Sequence, residues 1–364
     1  MLTKGDDYPI HQLPEPVASA GGERNFYDRY FFNGYAREGQ AFFALALGVY
    51  PHRNVMDASF CVIHEGVQHN LRASRHLGVE RMDTRVGPIS VQVLEPLKSL
   101  RILVHENDYG IRADLTFLAR APALEEPRFQ HSLGPRSLMD STRLTQNGSY
   151  EGYFSVRGGR RVEVASEKWL GTRDRSWGIR PLGSMQESPS EPGSIPQFYW
   201  LWAPVHFDDC VTLYDINADA AGTAWHTHGV VAHLPDGQPE TMQSVSSRVT
   251  YRPGTRHAQS AQILFVRPGG DELRLHIEPR YTFYMSGLGY LHPEWGHGMD
   301  RGEMALAYDT IDLATVDPAI PMYLHIQAVS RVRMGDRVGI GVLEQLVLGP
   351  HEPSGFSGLF DMAP

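Results

Sequence analysis

Cysteine is almost missing: Cys61 and Cys210 are the only two in 364 residues. A disulfide framework is thereby unsupported, and so is a zinc site built on thiolates. A reducing compartment suits such a chain, and the expected location is the cytoplasm. The opening residues, Met1 to Pro9, lack the apolar core of a signal peptide. No apolar run reaches the roughly 18 residues that a membrane-spanning helix needs. Runs of like charge are missing as well. The formal charge of −9 comes from interspersed acids, which leaves no basic footprint for nucleic acid and no polybasic patch for a membrane surface. Several catalytic signatures are also absent: the Walker loop, a Gly-x-Gly-x-x-Gly after a strand, His-Glu-x-x-His and the Gly-x-Ser-x-Gly elbow.

What is present describes a packed protein of many short strands. Hydrophobic residues make up 41%, and glycine (36) and proline (25) are frequent without any repeat period, as tight turns between strands require. In Ile111 to Leu118, apolar Ile111, Ala113, Leu115 and Phe117 alternate with Arg112, Asp114 and Thr116. That is the period of a half-buried strand. Further strand signals run from Phe26 to Tyr35, Phe42 to Tyr50, Ser59 to His64, Val67 to Leu71, Ser137 to Thr145, Tyr150 to Val156 and Arg161 to Trp169, with turns read at Glu65-Gly66 and Asn147-Gly148. The second half continues with Phe198 to Trp202, Cys210 to Ile216, Ala224 to Leu234, Leu273 to Met285, Glu303 to Asp312 and others. Helical periodicity is scarce. The reading is all-β: two antiparallel barrel-like domains in tandem, since so long a chain exceeds one ordinary core. The boundaries are an extended lead-in 1–22, an N-terminal domain 23–182, a Ser/Pro/Gly-rich linker 183–196 and a C-terminal domain 197–364. A short echo between Thr172 to Ile179 and Met334 to Ile340 is consistent with a duplicated domain.

The segment Gly171-Thr-Arg-Asp-Arg-Ser-Trp-Gly-Ile-Arg-Pro181 resembles the superfamily of paired lipocalin-like domains that includes AttH-like proteins and carotenoid 1,2-hydratases (hydroxyneurosporene synthases). The segment Gly287-Leu-Gly-Tyr-Leu-His-Pro-Glu-Trp-Gly-His-Gly298 resembles a second stretch recurring in uncharacterised bacterial members. The resemblance implies two lipocalin-like β-barrels and an apolar ligand of isoprenoid or steroid size. The hydratases carry Asp-His-x-Trp-Gly where this chain has Asp174-Arg175-Ser176-Trp177-Gly178, without the histidine.

Acid-assisted hydration, isomerisation or cyclisation needs a proton donor in a dry pocket and aromatic faces that tolerate a cation. Asp174 and Trp177 offer that pair, with Asp174 on the strand face opposite Arg173 and Arg175. The bland alternative is an ion-paired Asp and a core Trp. Trp202, Tyr214 and Trp225 are the expected ligand-facing aromatics. His226 and His228 form a His-x-His pair that positions substrate or water. Together with Pro253 to His257 the pair resembles the two half-motifs of cupins, but the acidic ligand expected after the His-x-His is absent unless His233 substitutes for it. His292, Glu294, Trp295 and His297 crowd one glycine-entered loop, with His297 a further catalytic candidate and the others substrate contacts.

The expected activity is therefore cofactor-independent acid catalysis on a hydrophobic small molecule. The rivals are a noncatalytic lipid carrier and a metal-dependent cupin-like oxygenase. A homodimer is compatible with this reading. No metal is expected, because the His-x-His lacks its carboxylate. Elemental analysis should find no stoichiometric iron, manganese or zinc, and about one per chain, lost in a His226→Ala/His228→Ala variant, would establish the oxygenase instead.

Overall fold

The computed structural model describes residues 2–364 apart from 8, 12, 20, 21, 134, 135, 160, 184–195 and 236. Almost all of the linker assigned to 183–196 thus lies outside the described residues. The lead-in holds two short 3-10 turns, Lys4–Asp7 and Val17–Ser19.

Two antiparallel sheets make up the molecule, one of 14 strands and one of 10. The first runs, neighbour to neighbour, Met304–Asp312, Val67–His76, Val55–His64, Phe42–Tyr50, Phe26–Ala36, Trp169–Ile179, Arg136–Ser155, Arg112–Ala119, Ser99–Val104, Ile89–Glu95 and Arg85–Val86. The second runs Glu240–Thr241, Ala224–His233, Cys210–Ala218, Phe198–Trp202, Arg337–Leu348, Ile326–Met334, Glu272–Tyr284, Ala258–Val266 and Ser244–Tyr251. Both sheets curl over a core of their own, and each remains an open path of hydrogen bonding among the described residues.

Alternation along the strands divides the side chains among three cores. Phe32 enters the interior of the first sheet, where Phe43, Phe60, Phe117, Tyr150, Phe154 and Trp169 are all buried. Its neighbour Phe31 points the other way, into a layer shared with the second sheet. The ring centroids of Phe43 and Tyr150 lie 4.8 Å apart, edge to face, so aromatic side chains fill the very interior where the sequence placed a ligand. A row of three glycines admits them. Gly34, Gly171 and Gly148 stand in register on adjacent strands, and a Cβ on Gly34 or Gly148 would come within 2.2 Å of the Phe43 or Phe117 ring respectively.

That row corrects the turn expected at Asn147-Gly148: the strand runs unbroken over Arg136–Ser155. The glycine is there for close approach, and turn chemistry cannot be told from it by residue type alone. The strand expected at 161–169 shrinks to Val162–Val164, and Trp169 opens the following strand. The echo does not mark equivalent places. Thr172 to Ile179 lies within a strand, whereas Met334 to Ile340 spans the hairpin between Ile326–Met334 and Arg337–Leu348.

The expected strand near 303–312 exists but crosses over. Met304–Asp312, from the half given to the C-terminal domain, pairs with Val67–His76 in the first sheet. The buried Arg72 guanidinium pairs with Asp309 and donates to Ser286 O at 3.1 Å, while Asn70 Nδ2 donates to Asp309 Oδ1 at 2.7 Å. Asp309→Ala should leave Arg72 buried without its carboxylate. Because the Asp309 side chain is half exposed, the expected loss in urea denaturation is about 1–2 kcal/mol rather than the full cost of a buried pair. No measurable loss would mean that backbone pairing alone holds the crossing strand.

Candidate functional site

The strand Trp169–Ile179 carries the motif across the middle of the first sheet. Arg173 and Arg175 turn toward that sheet's own interior: Arg173 Nε donates to Gln146 Oε1 at 2.8 Å, and Arg175 NH1 to Asp28 Oδ1 at 2.5 Å. Asp174 takes the opposite face, as the alternation predicted, with Phe31 and Thr145 beside it on the flanking strands. The face it shares is the outer one, which packs against the second sheet. Asp174 therefore points into the layer between the sheets and not into a barrel.

Arg143, on the adjoining strand, anchors this layer. Its Nε donates to Glu126 Oε2 at 2.8 Å, and its guanidinium lies 4.7 Å from the ring centroids of both Phe129 and Trp200 and 5.8 Å from that of Trp202. Glu126 also accepts from Thr145 Oγ1 at 2.5 Å. Across the layer, Asp215 accepts from His226 Nε2 at 2.6 Å and lies 3.4 Å from His228 Nδ1. Glu344 accepts from Trp200 Nε1 at 3.1 Å, His325 Nε2 at 2.8 Å and Gln327 Nε2 at 2.6 Å. Asn33 Nδ2 bonds Gln327 Oε1 at 2.9 Å and so ties one sheet to the other.

Four carboxyl groups thus share one layer, and three are tied. Burial opposes ionisation of Asp215 and of Glu344, yet their histidine bonds prevail and hold both below the usual carboxylate range. Burial raises Glu126, with Arg143 pulling it back. Asp174 differs: no hydrogen bond to it is made among the described residues. Asp174 is half-buried, and partial desolvation pushes its carboxyl up to about 6, with Arg143 and Arg29 lowering it and Glu126 and Glu344 raising it.

Of the other residues singled out in the sequence, Trp202, His226 and His228 belong to this layer. His226 stacks on Phe129 at 3.7 Å between centroids. Trp177 falls on the face opposite Asp174 and is 38% exposed, so the acid–indole pair is not assembled from it. Tyr214 packs in the second sheet's own core. Trp225 stacks on His131 at 4.6 Å. In the loop, His292 Nδ1 accepts from the backbone of Glu294 and Trp295 at 3.1 and 3.0 Å, and burial lowers its pKa to about 4. Glu294 is exposed and Trp295 half-buried under the Arg301 guanidinium. Glu294 and Arg301 line a surface recess of about 560 Å³ together with Arg24, His52, Arg53 and Asp300. Both nitrogens of His297 are engaged, Nε2 donating to Leu288 O at 2.9 Å and Nδ1 accepting from Arg180 at 3.0 Å. Burial and the two arginines keep it neutral, so it positions Arg29 and Arg180 and carries no spare proton.

Sequence reasoning missed Glu126, Arg143, Asp215, His325 and Glu344. A signal existed for two of them: Asp215 and Glu344 each interrupt an apolar strand, in Val-Thr-Leu-Tyr-Asp-Ile and Val-Leu-Glu-Gln-Leu-Val. Glu126, Asp215 and His226 offer ligand atoms within 4.8 Å of one another. The carboxylates that the His-x-His lacked in sequence thus arrive from a neighbouring strand and from the other sheet. Arg143 already bonds Glu126, and Asp215 already bonds His226, so each of these groups has a partner within the protein.

The raised Asp174 pKa sets a stability profile. Between about 4 and about 6 the folded chain keeps a proton that the unfolded chain has lost, so stability falls as pH rises through that window. A displacement from 3.8 to about 6 corresponds to at most about 3 kcal/mol. Asp174→Asn should therefore raise the melting temperature at pH 7.5 and change it little at pH 4. A melting temperature lowered at pH 7.5 would assign Asp174 to a structural ion pair.

Comparison with known proteins adds the lineage. A search of curated proteins returns no match. Among solved structures, the chain is similar to an AttH-type protein of Nitrosomonas europaea, with 12% identity and a TM-score of 0.55 over 93% of this chain and 98% of that one. It is also similar to kievitone hydratase of Nectria haematococca, with 11% identity and a TM-score of 0.48 over 88% of both chains. At 12% identity the first likeness shows a shared fold, and the second is looser still. No helix among the described residues is long and apolar enough to cross a membrane. A family model spans residues 2–357, and the chain belongs to that family, DUF8625, a family of unknown function.

Proposed function

We propose that the chain is a pair of lipocalin-like units, 23–182 and 197–364, that binds an apolar isoprenoid- or steroid-sized molecule between its sheets and performs cofactor-independent acid catalysis on it. One observation carries the reading: of the carboxyl groups in the inter-sheet layer, Asp174 alone is left without a hydrogen bond among the described residues, with a pKa of about 6. Structural carboxylates are tied, whereas a proton donor must be free, desolvated and poised near the working pH. In hydration of an alkene, the Asp174 proton goes to one carbon and the neighbouring carbon becomes a cation. Water adds to that cation, and the released proton leaves to a base. Trp200 and Trp202 supply the electron-rich wall, one that already attracts a cation in Arg143. The likeness of Gly171 to Pro181 to the hydratase motif supports the same chemistry.

A panel of isoprenoid and terpenoid alkenes incubated in ¹⁸O-water tests this by mass spectrometry of the products. Asp174→Asn keeps the shape and removes the acid, so ¹⁸O incorporation should fall about 10²–10⁴-fold while the protein stays folded. Full turnover in that variant would remove Asp174 from the mechanism.

A further inference from the structure

His325 immediately precedes the strand Ile326–Met334, and its side chain is only 4% exposed. Its Nε2 lies 2.8 Å from Glu344 Oε1. An ionised carboxylate only accepts, so Nε2 carries the hydrogen. In a neutral imidazole the lone pair then sits on Nδ1, and that atom is buried with no hydrogen-bond partner among the described residues. His228 Nδ1 also lacks a hydrogen bond, but Asp215 Oδ2 stands 3.4 Å away and engages it. No such carboxylate stands beside His325 Nδ1 among the described residues. Glu344 is itself locked from two other directions, by Trp200 Nε1 and Gln327 Nε2, so the imidazole is oriented as firmly as a histidine in a carboxylate–histidine pair. The Tyr290 ring packs against it in a T-shaped arrangement, 4.5 Å between centroids. Tyr290 and Trp200, which flank this pair, belong to the core shared by the two sheets together with Phe31, the strand neighbour of Asp174. His325, on the second sheet, thus borders the layer that Asp174 faces from the first.

We propose that His325 is the general base of this site, with Glu344 as its positioning residue. The proposal rests on the reading of Asp174 as the acid. As water adds to the carbon cation, its oxygen forms the new C–O bond and one of its protons moves to His325 Nδ1, leaving the alcohol. The cycle closes when the imidazolium releases that proton to solvent and Asp174 takes one up, so that alkene and water are the sole reactants.

A base can be tested without knowing the substrate. In 5-nitrobenzisoxazole, removal of the C3 proton by a base turns the C–H electron pair into the nitrile and breaks the N–O bond, releasing coloured 2-cyano-4-nitrophenolate. The full-length wild-type protein should open this probe faster than an equal concentration of imidazole. His325→Gln places an amide N–H near the Nε2 position, preserving the bond to Glu344 while removing the base, and should slow the reaction by about tenfold or more. The exposed His276→Gln should not slow it. Two-bond ¹⁵N–¹H correlations should show His325 as the Nε2–H tautomer, and Glu344→Gln should mix the tautomers and slow the probe reaction by about threefold or more. Melting temperatures confirm that each variant is folded. If His325→Gln does not fold, His325→Asn takes its place, with the same expectation.

A wild-type rate no greater than that of imidazole, an unchanged rate in the His325 variant, or an Nδ1–H tautomer would each overturn the proposal. A loss carried by Asp174→Asn and not by His325→Gln would assign the base to Asp174, also overturning it. Should ¹⁸O incorporation survive in Asp174→Asn while the probe rate falls in His325→Gln, the acid reading fails and the base stands.

Discussion

A guanidinium buried between two sheets governs the rest of the structure. Arg143 cannot lose its proton, and burial opposes its charge, so the molecule must surround it with compensating groups. Glu126 provides the contact charge, and Phe129, Trp200 and Trp202 provide ring faces drawn from both sides of the layer. Groups that would otherwise be a folding liability become mutually dependent: the two tryptophans of Phe198–Trp202 have to meet the arginine of Arg136–Ser155. The positive field of Arg143 also reaches Asp215 and Asp174, so its position sets how many acids the layer can hold.

Those acids are not equivalent, and the difference arises from donors rather than from depth. Asp215 has two histidines, and Glu344 a histidine, an indole and an amide. Each therefore ionises despite its burial. Asp174 has the desolvation without the donors, and its proton affinity rises. The same chemical group is thus held ionised in one place and pushed toward its protonated form in another. An untied carboxyl of this kind reduces stability at neutral pH, the pattern expected where function competes with packing.

The crossing strand bears on the same layer. Met304–Asp312 covers the edge of Val67–His76, and the segment between it and Glu272–Tyr284 carries Tyr290 and His297. Arg29 NH1 donates to the Tyr290 hydroxyl at 2.8 Å, and His297 accepts from Arg180. A segment of the second half is thereby threaded over the outer face of the first sheet. The two sheets are therefore joined by a strand pairing and by a buried arginine network together.

The amino-acid sequence by itself determined the all-β class, the scarcity of helix, most strand positions and the direction of Asp174 relative to Arg173 and Arg175. Those properties depend on local periodicity and backbone preference, which neighbouring residues carry among themselves. It also marked Trp202, His226 and His228. Only the tertiary structure decided that Asp174 faces the second sheet rather than a barrel interior, since a strand's two faces look alike until something packs on each. Only it joined Glu126 and Arg143 to Asp215 and paired His325 with Glu344 across a strand boundary. Trp177 and Trp200 show the limit well. Three residues from Asp174, Trp177 falls on the opposite face of its own strand, while Trp200, 26 positions beyond Asp174, came to bond Glu344 in the inter-sheet layer. Such neighbours are set by sheet register and by which faces meet, and neither is written in any short stretch of sequence.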